Sequence, residues 1–349
     1  MKKKRKISMK DISKELGISI TTISFIVNKK AKNKISKEVI KKVEDYIEKV
    51  GYKPNSSAQS LRTGKSKTIL FMAEDISDPF FSAIAKEMEE IAFNNGYKII
   101  YCSTENKKDR AIELLNLFRD RQVDAYIITP PEHFEEEIRK LIYHEQQHVM
   151  LFDRCYNSFE HNYVVLENLK GAKDATLQLI NSGRKKIAFV GIDSDLSPLT
   201  ERRMGYEKAI QENGFETFSL FITFDQIKTQ QGRNLIDEFL RANPGVDAIL
   251  FATNNLAISG LRVLREKKMK IPDEIAIISF DERDIFELYN PPISVVAQPV
   301  RELANELING TLKMLNRKSL PATFFCKSLH AELIMRESLP VRASSQISN

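Results

Sequence analysis

The chain has no tryptophan and only three cysteines, Cys102, Cys155 and Cys326, in 349 residues. They are odd in number, far apart and form no CxxC pair. This pattern argues against a disulfide framework and a cysteine-rich zinc site, and it favours a reducing, cytoplasmic setting. No apolar run approaches the length of a membrane span. The basic start MKKKRKISMKD has no hydrophobic stretch behind it, so it does not read as a secretory signal. A glycine-rich phosphate loop, a GxSxG elbow and motif-placed paired carboxylates are also missing. No enzyme, cofactor or metal site is expected.

One stretch challenges that expectation. Residues 144–148 read HEQQH, and on a helix this spacing would turn His144 and His148 to one face for zinc, with Glu145 as general base. The surroundings do not support it. EHFEEEIRKLIYHEQQ reads as a helix that ends before the strand HVMLFD, which leaves His148 at a strand entrance. His133, His161 and His330 add no ligand spacing. The motif is a coincidence of spelling.

The net charge of +6 conceals an asymmetry. Residues 1–66 hold 18 Lys and Arg against 6 Asp and Glu, and the remainder 35 against 41, so a head of +12 precedes a body of −6. A basic head suits a polyanionic partner.

Within the head, Ser8 and Asp11 suit a helix cap ahead of MKDISKELG, and Gly17 a stop. Ser19 caps a second short helix, SITTISFIVN, on which Ile23, Ile26 and Val27 lie at helical spacing and face a partner. Thr21, Thr22 and Phe25 then point away, with Ile20 near the edge. A third helix from about Ser36 to Val50 carries Val39, Ile40, Val43 and Ile47 on one stripe. Two short helices around a glycine turn, backed by a third, describe a helix-turn-helix unit.

MKDISKELGIS, TISFIVN and above all GYKPNSSAQSLRTGKS closely resemble the DNA-binding head of the lactose-repressor (LacI/GalR) family. The resemblance implies a hinge helix that folds on DNA, with Leu61 wedged into the minor groove at the operator centre and Asn55 and Ala58 beside it. It also implies base reading by the second helix, where Phe25 stands in place of an arginine common among relatives. With Ile20 also outward, the reading face is apolar and suits thymine methyl groups. Ser19 and Thr21 belong to the same surface, and Thr22, Ser24 and Asn28 suit phosphate contacts.

From Lys67 onward, eight apolar runs (TILFMA, KIIYCS, DAYIIT, HVMLFD, KIAFVGI, LFITF, DAILFAT, IAIISF) alternate with amphipathic stretches. Runs without polar alternation suit parallel strands buried on both faces, so the body reads as doubly wound α/β with enough strands for two lobes. DISDPFF, LENLKGA, ERRMGYEKA, ATNNLAISGL, ISFDERD, NPPISVVAQP and LHAELIMRES extend the resemblance to residues 8–338. They imply a periplasmic-binding-protein-like core. The expected organisation is a helix-turn-helix domain at 1–54, hinge and linker at 55–66, core at 67–340 and tail at 341–349. Within the core, the N-lobe covers about 67–165 and 295–322, and the C-lobe about 166–294 and 323–338.

Carried over by position, the effector cleft is expected to hold Asp153, Arg202, Asn254, Asp281 and Gln298, with the aromatic pair Phe80 and Phe81. Asp281 and Glu282 in FDERD read as a ligand loop in preference to an acid/base pair. Ile227 stands near Gly232 where purine-binding relatives present an aromatic ring, which favours a sugar or sugar derivative over a purine. The expected partners are a near-palindromic double-stranded operator, a small-molecule effector and a second copy of the chain. The tail SLPVRASSQISN lacks the leucine heptads of a four-chain bundle. A sugar-import binding protein would share the body but need a signal peptide and no head.

Overall fold

The computed structural model describes residues 7–28, 31, 34–52, 64–316 and 323–340. The chain divides into two units, Met1–Ser66 and Lys67–Asn349.

In the first unit, α1 (Met9–Leu16) opens on a capping box: Ser8 N donates to Asp11 Oδ2 at 2.8 Å and Asp11 N to Ser8 Oγ at 3.3 Å. It stops at Gly17, whose φ of 67° needs no Cβ penalty. Ser19 caps α2 (Ile20–Val27) and Ser36 caps α3 (Lys37–Val50). Ile12, Ile23, Ile26 and Val43 fill a small core, with Val27, Val39, Ile40 and Ile47 packed around it. The apolar spacing of all three helices therefore converges on one centre, as a helix-turn-helix unit requires.

The second unit holds two six-stranded sheets. Lobe one orders its strands β11 (Cys326–Leu329), β5 (Asn162–Leu166), β4 (Val149–Phe152), β3 (Ala125–Ile128), β1 (Thr68–Ala73), β2 (Lys98–Ser103), all parallel. Lobe two repeats the order as β12 (Glu332–Ile334), β10 (Ser294–Ala297), β9 (Ala276–Phe280), β8 (Ala248–Phe251), β6 (Ile187–Ile192), β7 (Phe218–Ile222), with β12 alone antiparallel.

Side-chain alternation explains why such apolar runs are required. On β1, Ile69, Phe71 and Ala73 face the helices Pro79–Asn94 and Val300–Leu315, while Leu70 and Met72 face Lys108–Asp120 and residues 134–142. The central strands β1, β3, β4, β6, β8 and β9 are buried on both sides, so neither of their faces tolerates a polar row.

All eight apolar runs are strands, and four further strands accompany them. β5 alternates buried and half-buried residues, and β11 and β12 are short and largely exposed, so composition does not mark them. These strands correct the expected lobe limits. Strand β10 pairs with β9, so residues 295–297 belong to the second lobe, not to the first as the 295 limit implied. Residues 326–329 pair with β5 and belong to the first lobe, not to the second as the 323 limit implied. Strand partners decide lobe membership, and they are remote in sequence.

HEQQH is not one helix. Glu135–Arg139 is α-helical, Lys140–His144 is a π-helical turn, and the His148 carbonyl accepts the Tyr126 N–H at 2.8 Å beside β4. Among the described residues no group of three His, Cys, Asp or Glu is placed to hold a metal, and no helix is long and apolar enough to cross a membrane.

Candidate functional site

On α2 the inward and outward faces separate as the spacing requires. Ile23 and Ile26 are buried, whereas Ile20 is 42% and Phe25 38% exposed, and Thr21 is exposed. Lys34 Nζ lies 5.9 Å from the centre of the Phe25 ring. Ser19 Oγ accepts the Thr22 N–H at 3.1 Å and shares a hydrogen bond with Thr22 Oγ1 at 2.8 Å. Asn28 Nδ2 donates to Ser24 O at 2.6 Å and approaches Ser24 Oγ at 3.3 Å, so this amide caps the C-terminus of α2. That role competes with the phosphate contact expected of Asn28. Asn55, Ala58 and Leu61 lie outside the described residues.

The body's site is built at the carboxyl ends of its strands. Asp153 follows β4 and Asp281 follows β9, which are equivalent positions in the two lobes. Both adopt φ of 67°, a left-handed conformation that Asp enters more readily than most residues. Each backbone N–H ties to the neighbouring strand, Asp153 to Val164 O at 3.2 Å and Asp281 to Val296 O at 3.0 Å. The turn that ends the strand is thus the turn that presents the carboxylate.

Arg202, on the helix Ser197–Glu212, is 3% exposed and is held to lobe two through Nε and Nη1. Its Nε donates to Asn168 Oδ1 at 2.9 Å, its Nη1 to Ala252 O at 2.7 Å and to Asp281 Oδ2 at 3.3 Å, and its guanidinium lies 4.0 Å from the Phe280 ring centre. Gln298 Nε2 donates to the other oxygen of Asp281 at 2.7 Å. Asp281 is therefore oriented from two sides before any ligand arrives. Asn254 opens the helix Asn254–Glu266, is 4% exposed, and its Oδ1 has no hydrogen-bond partner among the described residues.

Lobe one has a matching hub. Arg154 is buried and its Nη1 donates to Asn106 Oδ1 and Pro130 O, both at 2.9 Å, while Nη2 pairs with Glu74. Its Nε stands 3.3 Å from Asp153 Oδ2. Phe80 stacks on Phe152 at 5.8 Å between ring centres, and Phe81 meets Phe152 edge-on at 6.1 Å. Phe81 is a core side chain, so Phe80 alone of the pair stays half-buried at the strand ends.

Charges of the two lobes act on one another here. Burial pushes the Asp153 carboxyl up; Arg154 and Arg202 oppose this, and Glu74 and Asp281 reinforce it. Burial likewise raises Asp78, the N-cap of Pro79–Asn94, with Asp281 of lobe two adding to the shift. Ser194 Oγ of lobe two hydrogen-bonds Glu132 of lobe one.

Structure thus brings together Asp153, Arg202, Asn254, Asp281 and Gln298. It adds Asp78, Arg154, Asn168 and Glu201, which sequence reading passed over. Asn168 sits inside LENLKGA, and Arg154 directly follows Asp153. What singles them out is the burial of Arg154 and Asn168 and the half-burial of Asp78 and Glu201, which no motif records. A cavity of about 860 Å³ lies elsewhere on lobe two, bounded by Gln178, Glu287 and Arg336 among others, and holds none of these residues.

A helix-turn-helix unit joined to two matched parallel-sheet lobes, with polar groups of both lobes converging at their strand ends, defines the class of DNA-binding regulators that carry a two-lobed ligand-binding core. Residues 8–55 match the family described as bacterial regulatory proteins, lacI family, and residues 66–305 that of periplasmic binding proteins and sugar binding domain of LacI family. The chain belongs to the LacI family of bacterial transcriptional regulators.

It is 30% identical over 332 residues to the HTH-type transcriptional regulator RegA of Clostridium saccharobutylicum, covering 95% of this chain and 98% of that protein. Among solved structures it is similar to the lac repressor dimer bound to operator and the anti-inducer ONPF. The TM-score is 0.83 at 18% identity, covering 96% of this chain and 99% of that one. It is also similar to the transcriptional regulator CelR in complex with cellobiose, with TM-score 0.69, 21% identity, and 95% and 99% covered.

Proposed function

We propose that this regulator is a cytoplasmic homodimer that represses transcription from a near-palindromic operator, and that a neutral sugar or sugar derivative bound between the two lobes controls its operator affinity. The observation that carries the effector reading is the set Asp153, Arg202, Asn254 and Asp281. Carboxylates and an amide oxygen accept, a guanidinium donates, and adjacent sugar hydroxyls do both at once. CelR, similar along nearly its whole length, is a relative whose complex contains cellobiose. The rival is a purine. It is disfavoured because Ile227, a half-buried aliphatic packed on the lobe-two core, occupies the position where a stacking ring would be needed.

In this reading Ser19, Ile20, Thr21, Thr22, Ser24 and Phe25 meet DNA, and Leu61, flanked by Asn55 and Ala58, wedges the central base step. Effector binding closes the lobes, and closure repositions the paired hinges. A ligand shifts that equilibrium only through different affinities for the two states, so a true effector must also change operator affinity. The exposed apolar pair Ile285 and Leu288, at i and i+3 on the helix Asp284–Leu288, supports a dimer face on the body.

The test is a thermal-shift screen of sugars, sugar phosphates and purines, followed by operator binding with each hit. A sugar that stabilises the protein and changes operator affinity is the expected result. If only purines do both, or if Arg202→Ala and Asp281→Ala leave sugar binding intact, the effector reading fails.

A further inference from the structure

We propose that the effector cleft selects a ligand rich in hydrogen-bond donors and free of negative charge, a neutral polyol or an amino sugar, and excludes phosphorylated and carboxylated ligands, with Asp78 and Glu201 setting that choice. The inference rests on the reading that a small effector occupies this cleft.

Carboxylates of both lobes lie in one another's field here, among them Glu74, Asp78 and Asp153 from lobe one and Glu201 and Asp281 from lobe two. Two buried cations answer them. Arg154 pairs with Glu74 and Asp153, and Arg202 with Asp281. Asp78 and Glu201 have no ion pair among the described residues. Asp78 accepts the Phe80 N–H at 2.9 Å as a helix cap, and Arg283 reaches it through the field alone. Glu201 leans on the Asn168 amide and feels Arg202 and Asp153. Burial raises both carboxyls, and in each case an acid of the opposite lobe raises it further, Asp281 for Asp78 and Asp153 for Glu201.

A second observation points the same way. Three polar atoms at these strand ends are buried without a hydrogen-bond partner among the described residues: Thr129 Oγ1, just past β3, Asn254 Oδ1, just past β8, and Arg154 Nε, just past β4, which keeps only its ion pair with Asp153. Orphaned buried polar atoms are costly and rare in finished structures, and a bound ligand satisfies them. An amide oxygen can only accept.

Most guanidinium and amide donors here, by contrast, are engaged, and Arg154 Nε, which is not, faces the Asp153 carboxylate. Nη1 and Nη2 of Arg154, Nε and Nη1 of Arg202, and Nε2 of Gln298 already donate to the protein. A hydroxyl or ammonium donates into this surface. A phosphate brings only acceptors and more negative charge, against a surface where Asp78 and Glu201 make no ion pair among the described residues.

The experiment uses matched ligand sets on the full-length protein, by thermal shift and then calorimetry. One set is D-glucose, D-glucosamine, D-glucose 6-phosphate and D-gluconate; another is the galactose series without the acid. D-ribose with its 5-phosphate, and adenosine with its 5′-monophosphate, complete the panel. Within any set that binds, the parent or amine is expected to bind at least about tenfold more tightly than the anion, and Asp78→Asn and Glu201→Gln are each expected to narrow that gap about tenfold. Asn caps helices as well as Asp does, and Glu201→Gln gives an independent reading should the first variant fold poorly. An anion that binds as tightly as its parent overturns the proposal, as does a gap unchanged in both variants. If only adenosine binds, the sugar reading falls while the nucleoside–nucleotide gap still judges the charge rule. If nothing in any set binds, both fall.

Discussion

Replacing Gly205 by alanine would place a methyl carbon 2.2 Å from Leu169 O, 2.9 Å from Ala172 Cβ and 2.9 Å from Lys173 N. Gly205 lies where the helix Ser197–Glu212 crosses Asn168–Asn181, and two of those three neighbours are backbone atoms that no rotamer change can move. Ordinary contact is about 3.5 Å, so the helices must separate by roughly 1 Å. Overpacking of this kind costs about 1–3 kcal/mol, with rigid neighbours at the upper end, and the better helix propensity of alanine returns about 1 kcal/mol. The net loss is about 2 kcal/mol, which lowers Tm by about 4–8 °C in a domain of this size.

Gly310→Ala is the control. Its nearest neighbours are Met150 Cε at 2.7 Å and the Phe325 ring at 2.9 Å. A methionine end can swing aside, so this change is expected within about 1 kcal/mol of neutral. Gly205→Ala should also weaken effector binding, because parting these helices pulls Asn168 Oδ1 from Arg202 Nε, now 2.9 Å apart. Thermal and urea melts of both variants provide the measurement. A Gly205→Ala protein that melts within 1 °C of the parent, or a Gly310→Ala protein that loses more, refutes the reasoning.

Three further outcomes are expected. Phe25→Arg should move preference at one half-site position from T·A toward G·C, and a binding-site selection returning one consensus for both proteins counts against thymine-methyl reading. Arg202→Lys keeps the charge but not the planar set of donors to Asn168, Ala252 and Asp281, so calorimetry should show effector affinity at least about tenfold weaker. His161 is held neutral: Nε2 accepts the Tyr156 N–H at 3.3 Å, Nδ1 meets Phe159 O at 2.9 Å, and burial lowers its pKa below 6.5. A depressed histidine pKa means the unfolded chain binds more protons, so stability is full above pH 6.5 and is lost as pH falls toward the depressed value. Urea midpoints measured across that window should fall in the parent and stay flatter in His161→Gln; equal slopes would show that this imidazole is not responsible.

Much of this protein is legible in the sequence because the signals are local. Ser8, Asp11 and Gly17 bound α1 through groups three residues apart or a single backbone angle. Ile23, Ile26 and Val43 announce the head's core by helical spacing. Eight uninterrupted apolar runs announce strands buried on both faces. Asp153 and Asp281 are readable by position because each closes such a run.

What stayed hidden depends on partners distant in the chain. Cys326–Leu329 and residues 295–297 change lobes relative to the sequence expectation because membership is set by hydrogen bonds to β5 and β9. Asn28 is shown to be a cap only by its side-chain hydrogen bonds, and Phe81 a core residue only by its packing.

The sequence by itself determined the three helices of the head and the eight apolar strands of the body, that a basic head precedes an acidic body, and which loops carry polar groups. These follow from periodicity, capping and charge, all short-range properties. Tertiary structure alone decided that Arg154 and Arg202 are buried hubs, that Asp78 and Glu201 make no ion pair among the described residues, and that acids of opposite lobes raise one another. Burial and electrostatic fields act through space, and they come into being only when residues tens or hundreds of positions apart are packed together.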